Sequence, residues 1–279
     1  MKKIIPALLL ACCTLALRAQ NGAPSPDAPP SSSVASAAST TQDPSAAKAR
    51  TVLEAMIQAL GGTRWLNAQN SYTEGRLAAF YHGKPTGATI RYWAWDTPTA
   101  ARMDLTEKKK DKHDWIQIYT GNACWEITYR GKKPIPKDQC EEALRRRDHS
   151  IESVARVWMK DPSTVLMYEG QSLAGRHLAD QVTLLNAQND SVTLQIDADT
   201  HLPLRRSYSW RDPVYRDKNE DVEEYDDYHT IDGLPTPFTI SRFKNGDETQ
   251  QRFVFKAAWN QALSPEMFDP DKAAARFSK

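Results

Sequence analysis

From Ser71 to Ala257 apolar and polar residues alternate with a period of two in short segments separated by turn residues, which leaves few architectures open. In Ser191 to Asp197, Val192, Leu194 and Ile196 alternate with Thr193, Gln195 and Asp197, the pattern of a half-buried strand. About five such segments, from Ser71–His82 to Cys124–Tyr129, precede one helical stretch, and about seven, from Val165–Glu169 to Gln250–Ala257, follow it. Gly83-Lys84-Pro85, Gly121-Asn122, Asp232-Gly233 and Asn245-Gly246 are hairpin connections, too short for parallel crossovers, so neighbouring strands pair antiparallel. A period of three and four marks Ala49–Leu60, where Val52, Leu53, Met56, Ala59 and Leu60 recur before Gly61-Gly62. The same period over Asp138–Met159 puts Leu144, Ile151, Val154, Ala155 and Trp158 on one stripe. A meander with two main helices must bury one face against them or curl around a cavity.

Ahead of this body lies a different kind of chain. Met1-Lys2-Lys3 is a short positive start, Ile4 to Leu17 is almost wholly apolar, and Ala19 stands before Gln20, the layout of a bacterial secretory signal peptide over residues 1–19. The stretch is interrupted by Pro6 and too short for a membrane anchor. Leu9-Leu10-Ala11-Cys12 also has the form of a lipobox, in which a diacylated Cys12 would become the mature N-terminus. Against that form, Cys13 to Leu17 stays apolar where lipoproteins turn polar. The expectation is an exported, periplasmic protein, with a membrane tether through Cys12 as the alternative. Residues 20–47 are rich in Ala, Ser, Pro and Thr and contain no aromatic residue, so they cannot offset their chain entropy by burial and read as a disordered linker. Residues 48–279 then form a single domain.

Without residues 1–19 the chain carries 33 basic and 35 acidic side chains, a net charge of −2 that gathers no phosphate backbone and excludes a nucleic-acid role. Of its four cysteines only Cys124 and Cys140 remain, and export favours a disulfide between them over two unrelated buried thiols. Closing a loop of that size contributes on the order of 3 kcal/mol.

Catalytic tools are scarce. No two of the six histidines are closer than 24 residues, and no metal-ligand spacing, nucleophile elbow, phosphate loop or dinucleotide fingerprint occurs, so neither a metal nor a cofactor is expected and a non-enzymatic role is favoured. Asp212 to Glu224 reads as a charged loop. The acidic run Glu220 to Asp227 reads either as a cation site or, preferably, as a solvated loop leading into a strand. Aromatic residues are plentiful on the strands. Trp93 with Trp95, Trp125 with Tyr129, Tyr208 with Trp210 and Phe253 with Phe255 pair at even spacing, and Trp115 stands alone. Each is either a core residue or part of the apolar lining of a ligand cavity.

Toward the C-terminus a longer pattern stands out. Asp227-Tyr228, Ile231-Asp232-Gly233-Leu234 and Pro237-Phe238 are followed by Asn245-Gly246, Asn260, Leu263 and Phe268-Asp269-Pro270, with Leu60-Gly61-Gly62 and Glu74-Gly75 upstream. Over roughly residues 48–271 the chain resembles the outer-membrane lipoprotein-sorting-like proteins, relatives of the periplasmic lipoprotein carrier LolA. The resemblance implies an α+β, mainly antiparallel fold: an incomplete, half-open barrel of about 11 strands covered by helices. It also implies an apolar cavity that binds lipid or lipoprotein acyl chains. The nine aromatics are the candidate lining, and Phe268 the plug of an apolar end. Two alternatives stay open: a tethered envelope sensor or scaffold acting through a protein partner, and an uncharacterised hydrolase.

Overall fold

The computed structural model describes residues 43–107, 114–121, 123–212 and 214–277. The expected signal peptide, Cys12, most of the linker and most of the lysine-rich tip after Glu107 lie outside these residues. The chain runs α1 (Pro44–Ala59), α2 (Thr63–Leu66), β1 (Ser71–Tyr81), β2 (Lys84–Asp96), β3 (Ala100–Thr106), β4 (Trp115–Thr120), β5 (Ala123–Thr128) and β6 (Gly131–Pro134). Two cover helices follow, α3 (Lys137–Asp148) and α4 (Ile151–Arg156). Then come β7 (Val165–Ala174), β8 (His177–Leu185), β9 (Ser191–Asp197), β10 (Pro203–Arg211), β11 (Lys218–Ile231), β12 (Leu234–Lys244), β13 (Asp247–Trp259) and α5 (Pro270–Ala275). All 13 strands form one antiparallel sheet in the order β6-β5-β4-β3-β2-β1-β13-β12-β11-β10-β9-β8-β7, with β6 and β7 as unjoined edges.

The open antiparallel sheet is the expected one and has 13 strands where about 11 were expected, in part because β6 joins β5 through Gly131-Lys132-Lys133-Pro134, a segment with no apolar alternation to betray it. Three other expectations need correction. The folded body begins before Lys48: Asp43 caps α1 by accepting from the Ser45 amide at 3.0 Å, and the Ser45 hydroxyl accepts from the Tyr168 amide of β7 at 2.9 Å. The stretch Asp138–Met159 is not one helix. Ser150 starts α4 afresh, its hydroxyl accepting from the Ser153 amide at 3.1 Å, the usual work of an N-cap. The charged loop ends at Asp217, because β11 already pairs with β10 from Lys218 onward.

Directly paired residues in an antiparallel ladder share a face, so the register sorts the side chains. One row runs Leu194, Arg206, Glu223, Arg242, Gln250 from β9 to β13. The same face continues through Ile240, Arg252, Leu77 and Ile90 to β2, and through Tyr92, Leu105 and Trp115 to β4. The opposite face carries Trp93, Asp104, Ile116 and Ile127, and beside them Trp95, Arg102, Ile118 and Trp125.

Helix α3 identifies the concave side. Cys140 is bonded to Cys124 on β5, and Arg146 is bonded to Asp221 on β11. Those strands stand seven places apart in the sheet, about 34 Å if it were flat, whereas Cys140 and Arg146 are separated by about 9 Å along the helix. Extended side chains cannot bridge the difference, so the sheet curls around α3. Gly75 permits part of this curl. The register shifts at Glu74/Gly75, and a Cβ at Gly75 would lie 1.9 Å from the Phe253 carbonyl oxygen.

Helix α1 and α4 bury Leu53, Met56, Val154 and Ala155 against Leu166, Val182, Leu184 and Leu194 of β7–β9. On the convex side the C-terminal segment packs Phe268 and Ala273 on Ile116, Ile118 and Ile127. There Arg102 is buried between Asp104, at 2.6 and 2.7 Å, and the Met267 carbonyl, at 2.9 Å.

The disulfide Cys124–Cys140, with Cα atoms 5.6 Å apart, is the expected one. Replacing both cysteines by serine is predicted to lower the unfolding free energy by about 3 kcal/mol in urea titrations. An unchanged midpoint would contradict the stapling role.

Candidate functional site

The structure divides the nine candidate aromatics between two faces. Trp115, Tyr208 and Trp210 are on the concave side. Trp115 joins the cluster of Leu77, Tyr92, Ala94 and Leu105. Tyr208 stacks on His149 of the α3–α4 joint at 4.2 Å, and Trp210 lies under Arg145, 4.8 Å from its ring centre. Trp93, Trp95 and Trp125 face the convex side, each beneath a cation: Arg91 at 4.9 Å, Arg102 at 5.7 Å and Lys132 at 4.6 Å. Phe253, paired with Thr239 and Arg76, is 39% exposed there. Phe255 is 59% exposed, with Arg76 over its ring at 5.8 Å. Tyr129 falls in the turn after β5 and is 72% exposed. These six cannot line a concave cavity. Even spacing identifies which residues share a face but not which face is concave, and neighbours such as Tyr92 and Trp93 necessarily part company.

The concave face has three zones. Over β7–β9 it is sealed by α1 and α4. Over β1–β4 lies an apolar strip of buried Leu77, Tyr92, Ala94 and Leu105, extended by the half-buried Ala79, Ile90, Met103 and Trp115. Between them, on β10–β13, runs a strip of charge. Arg206 is fully buried, with Nη1 3.1 Å from Asp221 Oδ1 and Nη2 2.9 Å from Glu223 Oε2. Arg242 donates to Glu223 Oε1 through Nε and Nη2 at 3.2 and 2.8 Å, and to Gln250 through Nη1 at 3.1 Å. From above, Arg146 of α3 donates to Asp221 at 3.2 Å and to Glu142 at 3.1 Å, and Lys244 donates to Glu142 at 2.6 Å. Helix α3 thus meets the sheet through long side chains, the disulfide and Leu144, which packs beside Cys124 and Tyr119.

The acidic run Glu220 to Asp227 is therefore neither a solvated loop nor an empty cation site. Alternation along β11 turns Asp221, Glu223 and Tyr225 inward and Glu220, Glu224 and Asp226 outward, and the inward acids meet arginines from three elements. Burial pushes the Glu223 carboxyl up, but the guanidinium groups of Arg206, Arg242, Arg252 and Arg146 outweigh it and hold the group well below the ordinary carboxylate range. The same burial opposes the charge on Arg206, and Glu223 and Asp221 together keep it firmly protonated. Among the described residues no group of three His, Cys, Asp or Glu side chains is placed to hold a metal ion.

The protein around Asp96, at the end of β2, and the charges of Glu152 and Glu223 push its carboxyl up to about 6, with Arg252 opposing the rise. An open cleft of about 560 Å³ sits beside the α3–α4 joint, where His149 Nδ1 donates to the Arg145 carbonyl at 2.7 Å and Nε2 lies 2.9 Å from Asp190.

Glu223→Gln leaves Arg206 in a closed environment with half its compensation. It is predicted to cost about 3–5 kcal/mol of stability at pH 7 in urea unfolding. Because the folded carboxyl titrates below its unfolded value, this contribution is present above pH 4.5 and is lost as pH falls further. The gap between wild type and variant therefore narrows in acid. A loss under about 1 kcal/mol at pH 7 would contradict the network's structural weight.

No protein-family model matches the sequence, and no curated protein matches it. Solved structures do match in fold. A DUF1329 family protein from Desulfovibrio piger aligns with a TM-score of 0.53 at 12% identity, covering 79% of this chain and 97% of its own. An outer membrane lipoprotein-sorting protein domain from Vibrio parahaemolyticus aligns with a TM-score of 0.51 at 8% identity, covering 79% and 97%. A LolA superfamily protein from Nitrosomonas europaea aligns with a TM-score of 0.50 at 14% identity, covering 80% and 98%. The open, helix-covered antiparallel sheet is a LolA-like fold.

Proposed function

We propose that this protein binds lipid, or the acyl chains of a lipoprotein, on the concave face of its sheet. The observation that supports this most directly is the apolar strip of β1–β4 on the concave face, where Ile90, Met103 and Trp115 remain only half-buried beside Leu77, Tyr92, Ala94 and Leu105. Each methylene buried there contributes about 0.8 kcal/mol, offset by the ordering of the chain and any movement of α3. The fold shared with a lipoprotein-sorting domain and a LolA superfamily protein fits the same reading. On this reading the protein acts in the cell envelope, is exported by residues 1–19 and works without catalysis. Among the described residues no helix is long and apolar enough to cross a membrane.

A protein-partner role is the second reading. It is favoured by Phe253 and Phe255, large apolar side chains left exposed on the convex face.

The test is titration of a fluorescent long-chain fatty acid into the protein and two variants. Met103→Glu, on the floor of the strip, is predicted to weaken binding at least ~10-fold, and Phe253→Ser, on the convex face, to leave it unchanged. Loss of binding in Phe253→Ser alone would overturn the concave assignment, and no binding by the wild type would overturn the lipid reading.

A further inference from the structure

Exposed aromatic side chains gather at one end of the sheet. Because every strand runs antiparallel to its neighbours, the turns β1–β2, β5–β6, β10–β11 and β12–β13 all fall at the same end. Three of them carry large apolar side chains into solvent: Tyr81 at the first, Tyr129 at the second, and Val214 with Tyr215 at the third, all between 71% and 78% exposed. Among the described residues no turn at the opposite end carries an exposed aromatic; Leu173 and Leu178 flank one hairpin there, and Arg176, Asp199 and Asp232 occupy its turns. Followed along the register from β5 through β1 to β10, the tips advance by roughly one residue per strand. Strands tilted by about 35–45° to a barrel axis produce that stagger, so the three tips share one rim.

Each tip holds its aromatic in place. The Asp212 carboxylate accepts from the Val214 and Tyr215 amides, both at 2.8 Å, and Arg211 donates to the Arg216 carbonyl at 3.3 Å, which fixes the β10–β11 turn with its apolar pair in solvent. The Tyr129 hydroxyl accepts from Arg130 Nε at 2.8 Å, and the guanidinium lies 5.3 Å from the ring centre. Tyr81 packs edge-on against His82 at 4.3 Å. Exposed cations stand around these tips: Lys84, Arg130, Arg211, Arg216 and Lys218. Of the acids beside them, Asp212 is turned onto the loop amides and Asp247 faces His82 at 3.5 Å, while Asp217 and Glu220 are exposed. Basic side chains therefore outnumber acidic ones at the rim.

Neighbouring tips in this set stand four strands apart, about 19 Å along the sheet. Points so far apart do not line one pocket or groove, whereas a plane meets all of them at once. Tyrosine suits the boundary between water and hydrocarbon, its ring apolar and its hydroxyl wet, and an adjacent Arg or Lys is drawn to lipid phosphate. We propose that this rim docks on a bilayer surface bearing anionic phospholipid, with Tyr81, Tyr129 and Tyr215 seated at the level of the headgroups. Trp115, the first residue of β4, brings the apolar strip to the same end, so an acyl chain leaving the bilayer enters the concave face from there. The docking itself stands on the rim residues and goes beyond the acyl-binding reading.

The test uses the chain from Gln20, which keeps every described residue and lacks the apolar stretch Ile4 to Leu17 that binds lipid by itself. Cosedimentation is measured with vesicles of phosphatidylethanolamine containing about one-quarter phosphatidylglycerol, and with vesicles of phosphatidylcholine alone. The protein is expected to partition onto the anionic vesicles at least ~10-fold more strongly. Tyr81→Ser, Tyr129→Ser and Tyr215→Ser should each weaken that binding about two- to fivefold, and together at least ~10-fold, because separate contacts with one plane add. Phe255→Ser, on the convex face, should leave vesicle binding unchanged, and the triple variant should keep the wild-type melting temperature and fatty-acid affinity. No binding to either vesicle, equal binding to both, a loss that follows Phe255→Ser, or a triple variant that binds like the wild type overturns the inference and leaves acyl binding standing. Failure to bind the fatty acid, with rim-dependent vesicle docking intact, overturns the acyl-binding reading alone.

Discussion

The ties that α3 makes to both halves of the sheet govern the rest of the molecule. A twelve-residue helix is joined covalently to β5 through Cys140 and ionically to β11 and β12 through Arg146 and Glu142. Thirteen antiparallel strands with right-handed twist could spread as an open propeller, but these contacts require the ends of the ribbon to approach one another. The bridging groups are a disulfide, long polar side chains and Leu144, which packs beside Cys124 and Tyr119, whereas α1 presses Leu53 and Met56 directly on β7–β9 and seals that part of the concave face.

The charged strip sets the character of that space. Burying Arg206, Asp221 and Glu223 carries a large desolvation cost, which their mutual attraction repays only with near-complete hydrogen bonding. Most of the bonds are present, and they come from β10, β11, β12 and α3, so the network holds four elements in register as one unit. Beside it lies the apolar strip of β1–β4. A simple oily cavity does not describe this arrangement. The concave face is amphipathic, with a strip of paired charges on β10–β13 and an apolar strip on β1–β4.

Much of the fold was legible in the residues. Periodicity located nearly every strand, Asp232-Gly233 and Asn245-Gly246 marked their hairpins, and export favoured the Cys124–Cys140 bond, all of which depend on local conformation or compartment. The site was much less legible. Alternation assigned Trp93 and Trp95 to one face and Tyr92 and Ala94 to the other, but curvature comes from contacts across seven strands, and nothing local records which side becomes concave. Asp221 and Glu223 were hidden for a related reason. Within the run Glu220 to Asp227 they are chemically like their exposed neighbours, and only pairing with Arg206 and Arg242, distant in the chain or on another strand, makes them interior residues.

The central claim is that a ligand occupies concave space floored by β1–β4, and the tryptophans provide a direct measurement. Trp115 lies on that floor, whereas Trp93, Trp95 and Trp125 face away from it. With 5-fluorotryptophan incorporated and each signal assigned by single Trp→Phe substitution, fluorine NMR reports on both faces in one titration with an acyl ligand. The account predicts that the Trp115 resonance shifts in a saturable manner while those of Trp93, Trp95 and Trp125 hold their positions. A shift confined to the convex tryptophans, with Trp115 unmoved at saturation, would contradict it.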